Sequence, residues 1–500
     1  MKRTGIWLLA LVFVSVVISI HMNEAFAFSL LDGKLNIKGF IKNDSAWRTR
    51  NGSTTGPHNG LEGGDWVLMR NTFQTEILWE PTPWFSLFVM PRIVYDAALD
   101  LDASLEHRIT SSKHHDVQYE KGIREIYADF MLKNIGVCGA DTRIRIGKQQ
   151  IMWGESDLFR MADIINPLDI SWMYLLYASV SSFEDIRIPL WAIDVNWSMS
   201  TGHQWGVELV FMPLNFQEGF EPHRLPQSGS NWDLGLPQFL LDSVYDSAPH
   251  NDSSNASGGI KLKGIFGGWE VAVFDFYSRV QYPVFREDFL TRFIGHMSPA
   301  GVPKPGKYFS FPFTNKAGAT FNKYDERFKI VWRGECVFQF DEPMVDQSFY
   351  NNTFTNQKVY ERNTFSFMLG FDRPTMIPFL NPNRSVFISG QMFQKHIFNF
   401  HDNYMRDPSP GGTITDPNQY VFTLLVSTGY RWDTILPQLL MAYNLAGEGM
   451  VNPQCEFWLG NNWRLGIGYH MLQSRSPKTP YFGTFRDNDQ VYTWLKYQFD

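Results

Sequence analysis

The sequence predicts an all-β fold, a transmembrane antiparallel β-barrel of about 18 strands, with about 16 as the nearest alternative. Three observations predict it. Beyond residue 27, no apolar stretch is long enough for a membrane-spanning helix. Instead, short runs alternate apolar and polar residues at the period of a strand along the whole chain. Aromatic residues make up 16% of the 500 residues, yet mean hydropathy is only −0.24. A barrel reconciles these last two numbers, because the half of each strand that faces water cancels the half that faces lipid.

The chain begins like an export signal. Lys2 and Arg3 give the charged start, Gly5 to Ile20 the apolar run, and Ala25-Phe26-Ala27 a small-x-small cleavage pattern. Residues 1–27 are therefore expected to be a signal peptide, removed before Phe28, and residues 28–500 a single barrel domain. An uncleaved anchor is the alternative, and the short run followed by a cleavage pattern argues against it. About six residues then precede the first strand-like run, too few for a separate plug domain inside the barrel.

The strands follow in order. Lys34 to Asn43 sets Leu35, Ile37, Gly39 and Ile41 against Asn36, Lys38 and Lys42. Trp66 to Trp79 sets Val67, Met69, Phe73, Ile77 and Trp79 against Arg70, Thr72, Gln74 and Glu76. The tight turn Glu80-Pro81-Thr82-Pro83 leads into Trp84–Asp96, and the polar loop Ala97–Lys121 leads into Ile123–Lys133. From Thr142, Arg143 and Arg145 share one side and Ile144 and Ile146 the other. Trp191–Trp197, Trp205–Phe211 and Ile260–Phe266 alternate next. Trp269–Arg279 is apolar with a phase break at Asp275, which predicts a bulge. Ala317–Lys323 is a weak run, whereas Phe328–Asp341 is the cleanest strand. Asn363–Asp372, Val386–Lys395, Tyr420–Trp432, Pro437–Asn444, Met450–Leu459, Trp463–Met471 and Val491–Phe499 complete the count.

The connections also alternate. Glu80–Pro83, Gly267-Gly268 and Gly460–Asn462 are short; Asn215–Ser257, Gln281–Asn315 and Asn399–Asn418 are long. Short periplasmic turns with long outer loops are the pattern of an outer-membrane barrel, and a soluble β-sandwich has no reason to sort its loops this way. The last strand alternates up to Tyr497 and Phe499, resembling the closing strand that the barrel-assembly machinery reads; Asp500 after the terminal aromatic is a departure.

Other classes are not indicated. The net charge of −7, with no basic cluster, does not point to nucleic acid. Cys138, Cys336 and Cys455 form neither a disulfide framework nor a metal-ligand spacing. His203, His396 and His470 stand alone, without a partner at catalytic spacing. His107, His114 and His115 lie in a polar loop with no further ligand pattern. No catalytic residue, metal or cofactor is expected.

Charges at strand centres cannot face lipid, so they must line the lumen. Arg70, Glu125, Arg143, Arg145, Arg333 and Glu335 are of this kind, as are Arg92, Asp194, Glu208 and Arg431. Either they make a solvated, ion-paired wall, or opposing ladders create a transverse field that orients solutes, with Arg143, Arg145, Arg333 and Glu335 as the constriction. The segment from Trp153 to Asp169 breaks the alternation. It places Glu155, Asp157, Arg160 and Asp163 among Trp153, Phe159, Ile164 and Ile165, and closes on Asn166-Pro167. A strand that becomes a charged, aromatic, proline-stopped segment reads as a loop folding over or into the lumen, here residues 153–187. It constricts or gates the bore, or only latches to wall arginines.

Two stretches carry a resemblance. Arg145-Ile146-Gly147-Lys148-Gln149-Gln150-Ile151, followed by Trp153-Gly154-Glu155-Ser156 and Asn166-Pro167-Leu168-Asp169, resembles the core of a large proteobacterial family of outer-membrane proteins, known as a domain of unknown function. Arg333-Gly334-Glu335 in a strand resembles it too, and the likeness spans the mature chain. The resemblance implies an outer-membrane barrel that often works beside a periplasmic lipoprotein and an inner-membrane export pump, and no particular substrate. The loop Gln281–Asn315 departs from the pattern, so partner choice does not carry over.

Two functions remain. The first is a porin-like channel in the outer-membrane lipid, passing small polar or amphipathic solutes; a lumen of paired charges favours it. The second is a partner-dependent part of a lipid-export or conduit complex that conducts little alone. A wide apolar lateral opening or a plugging partner favours that one. A barrel hydrolase would need a Ser/His pair at the rim.

Overall fold

The computed structural model describes residues 28–53, 58–135, 139–157, 159–171, 183–198, 204–214, 226–346, 358–400, 404–405, 413–414, 416–475 and 482–499. The expected signal peptide lies outside the described residues.

Eighteen antiparallel strands close into one barrel. In chain order they are β1 (Leu35–Arg48), β2 (Trp66–Thr82), β3 (Phe85–Asp96), β4 (Tyr119–Leu132), β5 (Asp141–Gln149) and β6 (Leu190–Ser198). Then come β7 (Trp205–Met212), β8 (Ser257–Phe266), β9 (Trp269–Arg279), β10 (Phe313–Asp325), β11 (Ile330–Asp346) and β12 (Val359–Thr375). The ring ends with β13 (Val386–Ile397), β14 (Asn418–Ser427), β15 (Ile435–Asn444), β16 (Glu448–Leu459), β17 (Trp463–Ser474) and β18 (Gln490–Phe499). Each strand pairs with its sequence neighbour, and β1 pairs with β18 from Gly39↔Phe499 to Arg48↔Gln490, which closes the wall. Closure gives strand backbones partners without an open edge, and that is what lets strands cross lipid.

The two faces differ as period two requires. On β2, Arg70, Thr72 and Gln74 point inward and are at most 7% exposed, while Phe73 between them is 42% exposed. Ile93, Val273, Phe422 and Ile467 on other strands are similarly bare. An apolar belt of this extent around a closed barrel needs lipid to cover it.

Three details differ from the sequence reading. First, β9 runs in unbroken register with both β8 and β10, so there is no bulge at Asp275. The phase break is real in sequence but has another cause: Phe274 and Phe276 face inward, and Asp275 faces outward, where Asn315 donates to it at 3.1 Å. Second, β14 stops at Ser427, and Arg431, Trp432 and Asp433 form a turn in which all three have positive φ. Arg431 therefore belongs to a turn and not to the lumen wall. Third, β15 and β16 are joined at the long-loop end by a tight turn, 445–447, an exception to the sorting of connections.

Two long loops build an apolar cap at that end. Helix α1 (Gln238–Ser247) and helix α2 (Phe289–Gly295) pack with Trp232, Phe285, Tyr308 and Phe309. The cap seats against inward residues of the wall, Ala46, Leu68, Val345, Met450, Leu472 and Tyr492, so it lies within the mouth of the barrel. Arg48 pins it: its guanidinium donates to Asn231 Oδ1 at 2.8 Å, Asn488 Oδ1 at 2.7 Å and the Asp487 carbonyl at 2.6 Å.

Candidate functional site

β5 ends at Gln149, after only nine residues, and the chain leaves the wall for the lumen. Asn166 ties the two limbs of the loop together at their base. Its Oδ1 accepts from the Ile151 N–H at 2.7 Å, and its amide donates to the Ile188 carbonyl at 2.8 Å. The returning limb pairs with itself, Asp169 N–H to the Ile186 carbonyl at 2.7 Å and Ile188 N–H to the Pro167 carbonyl at 2.8 Å. Gly154 lets the limbs touch, since a Cβ there would sit 2.5 Å from the Asp163 nitrogen.

The near end of the loop rests in an apolar seat. Trp153 is 1% exposed and packs on Phe274 and Phe276 of β9, with ring centroids 5.4 and 5.8 Å away. Its indole N–H donates to Glu208 Oε1 on β7 at 2.9 Å, and Lys261 on β8 donates to its carbonyl at 3.1 Å. This seat explains β9: an inward face that must hold a tryptophan is apolar, which shifts the hydrophobic phase. On the opposite flank Glu125 of β4 accepts from the backbone and the amide of Gln150.

The far end is held by charge. Glu335 of β11 accepts from the Ala162 N–H at 2.8 Å and from the Glu155 N–H. Arg333, two residues earlier and on the same face, donates to the Glu155 carbonyl at 2.7 Å and to both carboxylate oxygens of Asp157. It also pairs with Asp372 of β12 at 2.9 Å. Gln391 of β13 donates to Asp157 Oδ2 at 2.8 Å. The loop thus runs from β5 across the bore to β11 and β13. Arg160 folds back on Asp163, which also takes Arg187 at 2.6 Å. Burial pulls the Arg160 guanidinium below its ordinary pKa, Asp163 opposes this and Arg187 adds to it.

The remaining expected residues lie elsewhere. Arg143 pairs with Asp194 at 2.6 Å, and Arg145 grips Asp129 with two bonds of 2.7 and 2.8 Å while lying over the Tyr127 ring. Both are satisfied within the β4–β5–β6 wall. The four residues expected to form one constriction are thus two separate groups: a wall ladder, and the Arg333–Glu335 clamp. Arg70 is buried beside Glu120, 3.5 Å away. Tyr497 packs on Trp463 at 4.9 Å, and Phe499 covers Gly39.

Sequence reasoning missed a pocket beyond the loop. It has a volume of about 270 Å³ and is lined by Arg160, Lys316 and Lys395 and by Phe159, Met161 and Phe393. Lys395 is paired with Glu342 at 2.6 Å, whereas Lys316 makes no ion pair among the described residues. Alternation would have flagged Lys316, had the run 317–323 been extended by one residue. Reasoning also missed Gln281, whose amide donates to the carbonyls of Ile164 and Ile165 and ties the cap loop to the inward loop. Among the described residues, no group of three or more His, Cys, Asp or Glu is placed to hold a metal ion.

A closed barrel with an apolar outside, a charged inside and a loop drawn across the bore is porin-like architecture. The chain belongs to the family described as "Protein of unknown function (DUF1302)", whose model matches residues 32–499. No curated protein sequence matches it. Among solved structures it is similar to OccAB3 of Acinetobacter baumannii, at 8% identity over 93% of this chain and 99% of that one, with a TM-score of 0.48. A BenF-like porin from Pseudomonas fluorescens Pf-5 is similar at 7% identity over 94% and 100%, TM-score 0.48. So is OpdK of Pseudomonas aeruginosa, solved with vanillate, at 7% identity over 93% and 98%, TM-score 0.47.

Proposed function

We propose that the protein is an outer-membrane channel that passes small polar or amphipathic solutes and prefers anions, with the inward loop as its constriction. The carrying observation is the luminal pocket beyond that loop. Lys316 supplies positive charge that no ion pair takes up among the described residues, beside the paired Arg160 and Lys395, and Phe159, Met161 and Phe393 supply apolar surface. A carboxylate with an aromatic or aliphatic body fits both. The test is conductance of the refolded mature protein in a planar bilayer, with and without residues 153–169. Anion-selective conductance that rises when the segment is removed supports the reading, and a barrel silent in both forms overturns it.

The cap favours a second reading. A mouth filled by packed apolar side chains fits a barrel that conducts little until a partner acts on it; a periplasmic lipoprotein or export pump would do so from the short-turn end, opposite the cap. Conductance appearing only when such a partner is added would select this reading over the first.

A further inference from the structure

The wall is not of even height. β11 and β12 are 17 residues long each, whereas β5, β6 and β7 have nine, nine and eight. β4, with 14 residues, stands beside the shortest sector. Its ladder with β5 begins at Ile126↔Lys148 and runs toward the other end. Over Tyr119–Glu125, among the described residues, β4 is laddered to β3 alone. The strand is also irregular here: its register with β3 skips between Met90↔Glu125 and Pro91↔Ile123, leaving Arg124 as the extra residue opposite a proline that has no N–H to give.

A pocket of about 330 Å³, open to solvent, occupies this place. Its lining combines both faces of the wall. Lys121 and Ile123 belong to the outer face, and so does Lys148, two residues from the bare Ile146 and on the same face. Arg92, Glu120 and Asp169 belong to the inner side. Both faces of the wall thus contribute to one pocket. Gly122 marks it: a Cβ added there meets no atom within 4 Å, whereas at Gly39, Gly318 or Gly468 in other strands it would meet one within 3 Å.

The chemistry of the pocket is two-sided. Ile123, Ile188 and Pro189 are apolar. Arg92 is 5% exposed, and its Nε and Nη1 have no hydrogen-bond partner; Asp185, at 3.8 Å, is an ion pair beyond bonding distance. The acids of the lining are engaged: Arg70 reaches Glu120, Ser171 donates to Asp169, and Lys113 lies 3.6 Å from Asp116. A buried guanidinium with unsatisfied donors is costly unless an acceptor arrives. The apolar cap, meanwhile, sits against β1, β2, β11 and β15–β18, and among the described residues Ile186 is its one buried member from the neighbourhood of the short strands.

We infer that the barrel has a lateral portal between β4 and the short β5–β6 sector, through which an amphipathic anion with a carboxylate head and an apolar tail passes between lumen and membrane. This rests on the channel reading and adds the route and the solute class. Arg92 receives the head, while the tail leaves past Ile123 toward lipid. The exposed backbone of Tyr119–Glu125 is tolerated because water or the solute head covers it.

The test uses Gly122→Cys in a chain whose own cysteines are replaced by serine, folded first and then alkylated with a bulky maleimide, so that folding is not in question. Two readouts are taken in the same vesicles and bilayers: transfer of a long-chain fluorescent carboxylate into the membrane, and chloride conductance. Alkylation is expected to cut carboxylate transfer about tenfold and to change conductance less than about twofold, because only the side route is blocked. Arg92→Gln is expected to slow the carboxylate and leave the uncharged long-chain alcohol unaffected. Carboxylate transfer unchanged by alkylation overturns the portal. A barrel that transfers the carboxylate but carries no chloride current overturns the channel reading and leaves the portal standing.

Discussion

The two ends of the inward loop are held by opposite kinds of force. Trp153 is buried between Phe274 and Phe276, with its indole N–H on Glu208 and its carbonyl on Lys261. At the far end Arg333 and Glu335 hold the loop through hydrogen bonds and ion pairs, and Asp157 there is half exposed. Burial of an indole is insensitive to salt and hard to undo in part. A half-exposed ion pair is screened and exchanges readily with water or another ion. The near end is thus a hinge that stays, and the far end a clasp that an anionic solute can compete for.

The largest expected effect comes from emptying the seat. Trp153→Ala should raise the opening tendency of the loop by about 3–5 kcal/mol, the usual cost of deleting a buried tryptophan. Hydrogen exchange at Ile151, whose N–H is held by Asn166, reads this directly. Trp153→Phe keeps an aromatic ring in the seat, loses the bond to Glu208 and leaves a smaller void than alanine, so it should cost less, about 1–3 kcal/mol. Equal effects of the two substitutions would show that the hydrogen bond, and not the packing, holds this end.

The clasp should respond differently. Glu335→Gln leaves one of two backbone donors, Glu155 or Ala162, facing an amide nitrogen, which should cost about 1–3 kcal/mol. Arg333→Lys keeps the charge but loses the two-bond grip on Asp157, with a smaller loss of about 1 kcal/mol. Both variants should increase current fluctuation in single-channel recordings, and raising the salt concentration should make the wild type behave like them. Salt-independent recordings of the wild type would remove the distinction between hinge and clasp.

The strands were legible because lipid imposes period two on one face, whatever the other face does. β11 was plain for that reason, with Phe338 and Phe340 against Arg333 and Glu335. β10 was faint because Ala317, Gly318 and Ala319 carry little contrast. Asp275 was misread through the assumption that every inward face is polar; the partner that makes β9 apolar inside is Trp153, more than a hundred positions earlier. Likewise alternation identified Arg143, Arg145, Arg333 and Glu335 as inward, but only the closed ring decides which acid each one reaches. The cap had a local signal in Gln238–Ser247, where Leu240, Leu241 and Val244 share a helix face, yet nothing local said that this face would turn into the barrel mouth.

The smallest expected effect extends the comparison from the loop to the cap. His58 lies in the β1–β2 loop beside Phe485, 6.0 Å away, and Phe485 in turn packs on Trp232. Burial, reinforced by Arg48 and Arg108, lowers its pKa from 6.5 to about 3. Between those values the released cap binds a proton that the seated cap does not. The seated form is therefore fully favoured above pH 6.5 and loses ground as the pH falls toward 3. Tryptophan emission should shift as Trp232 gains water on acidification, and His58→Phe should flatten that dependence while leaving the salt response of the Arg333 clasp in place. If acidification instead frees the clasp first, with the cap unchanged, the apolar mouth is the more durable closure, and the weak point of the molecule lies inside the bore.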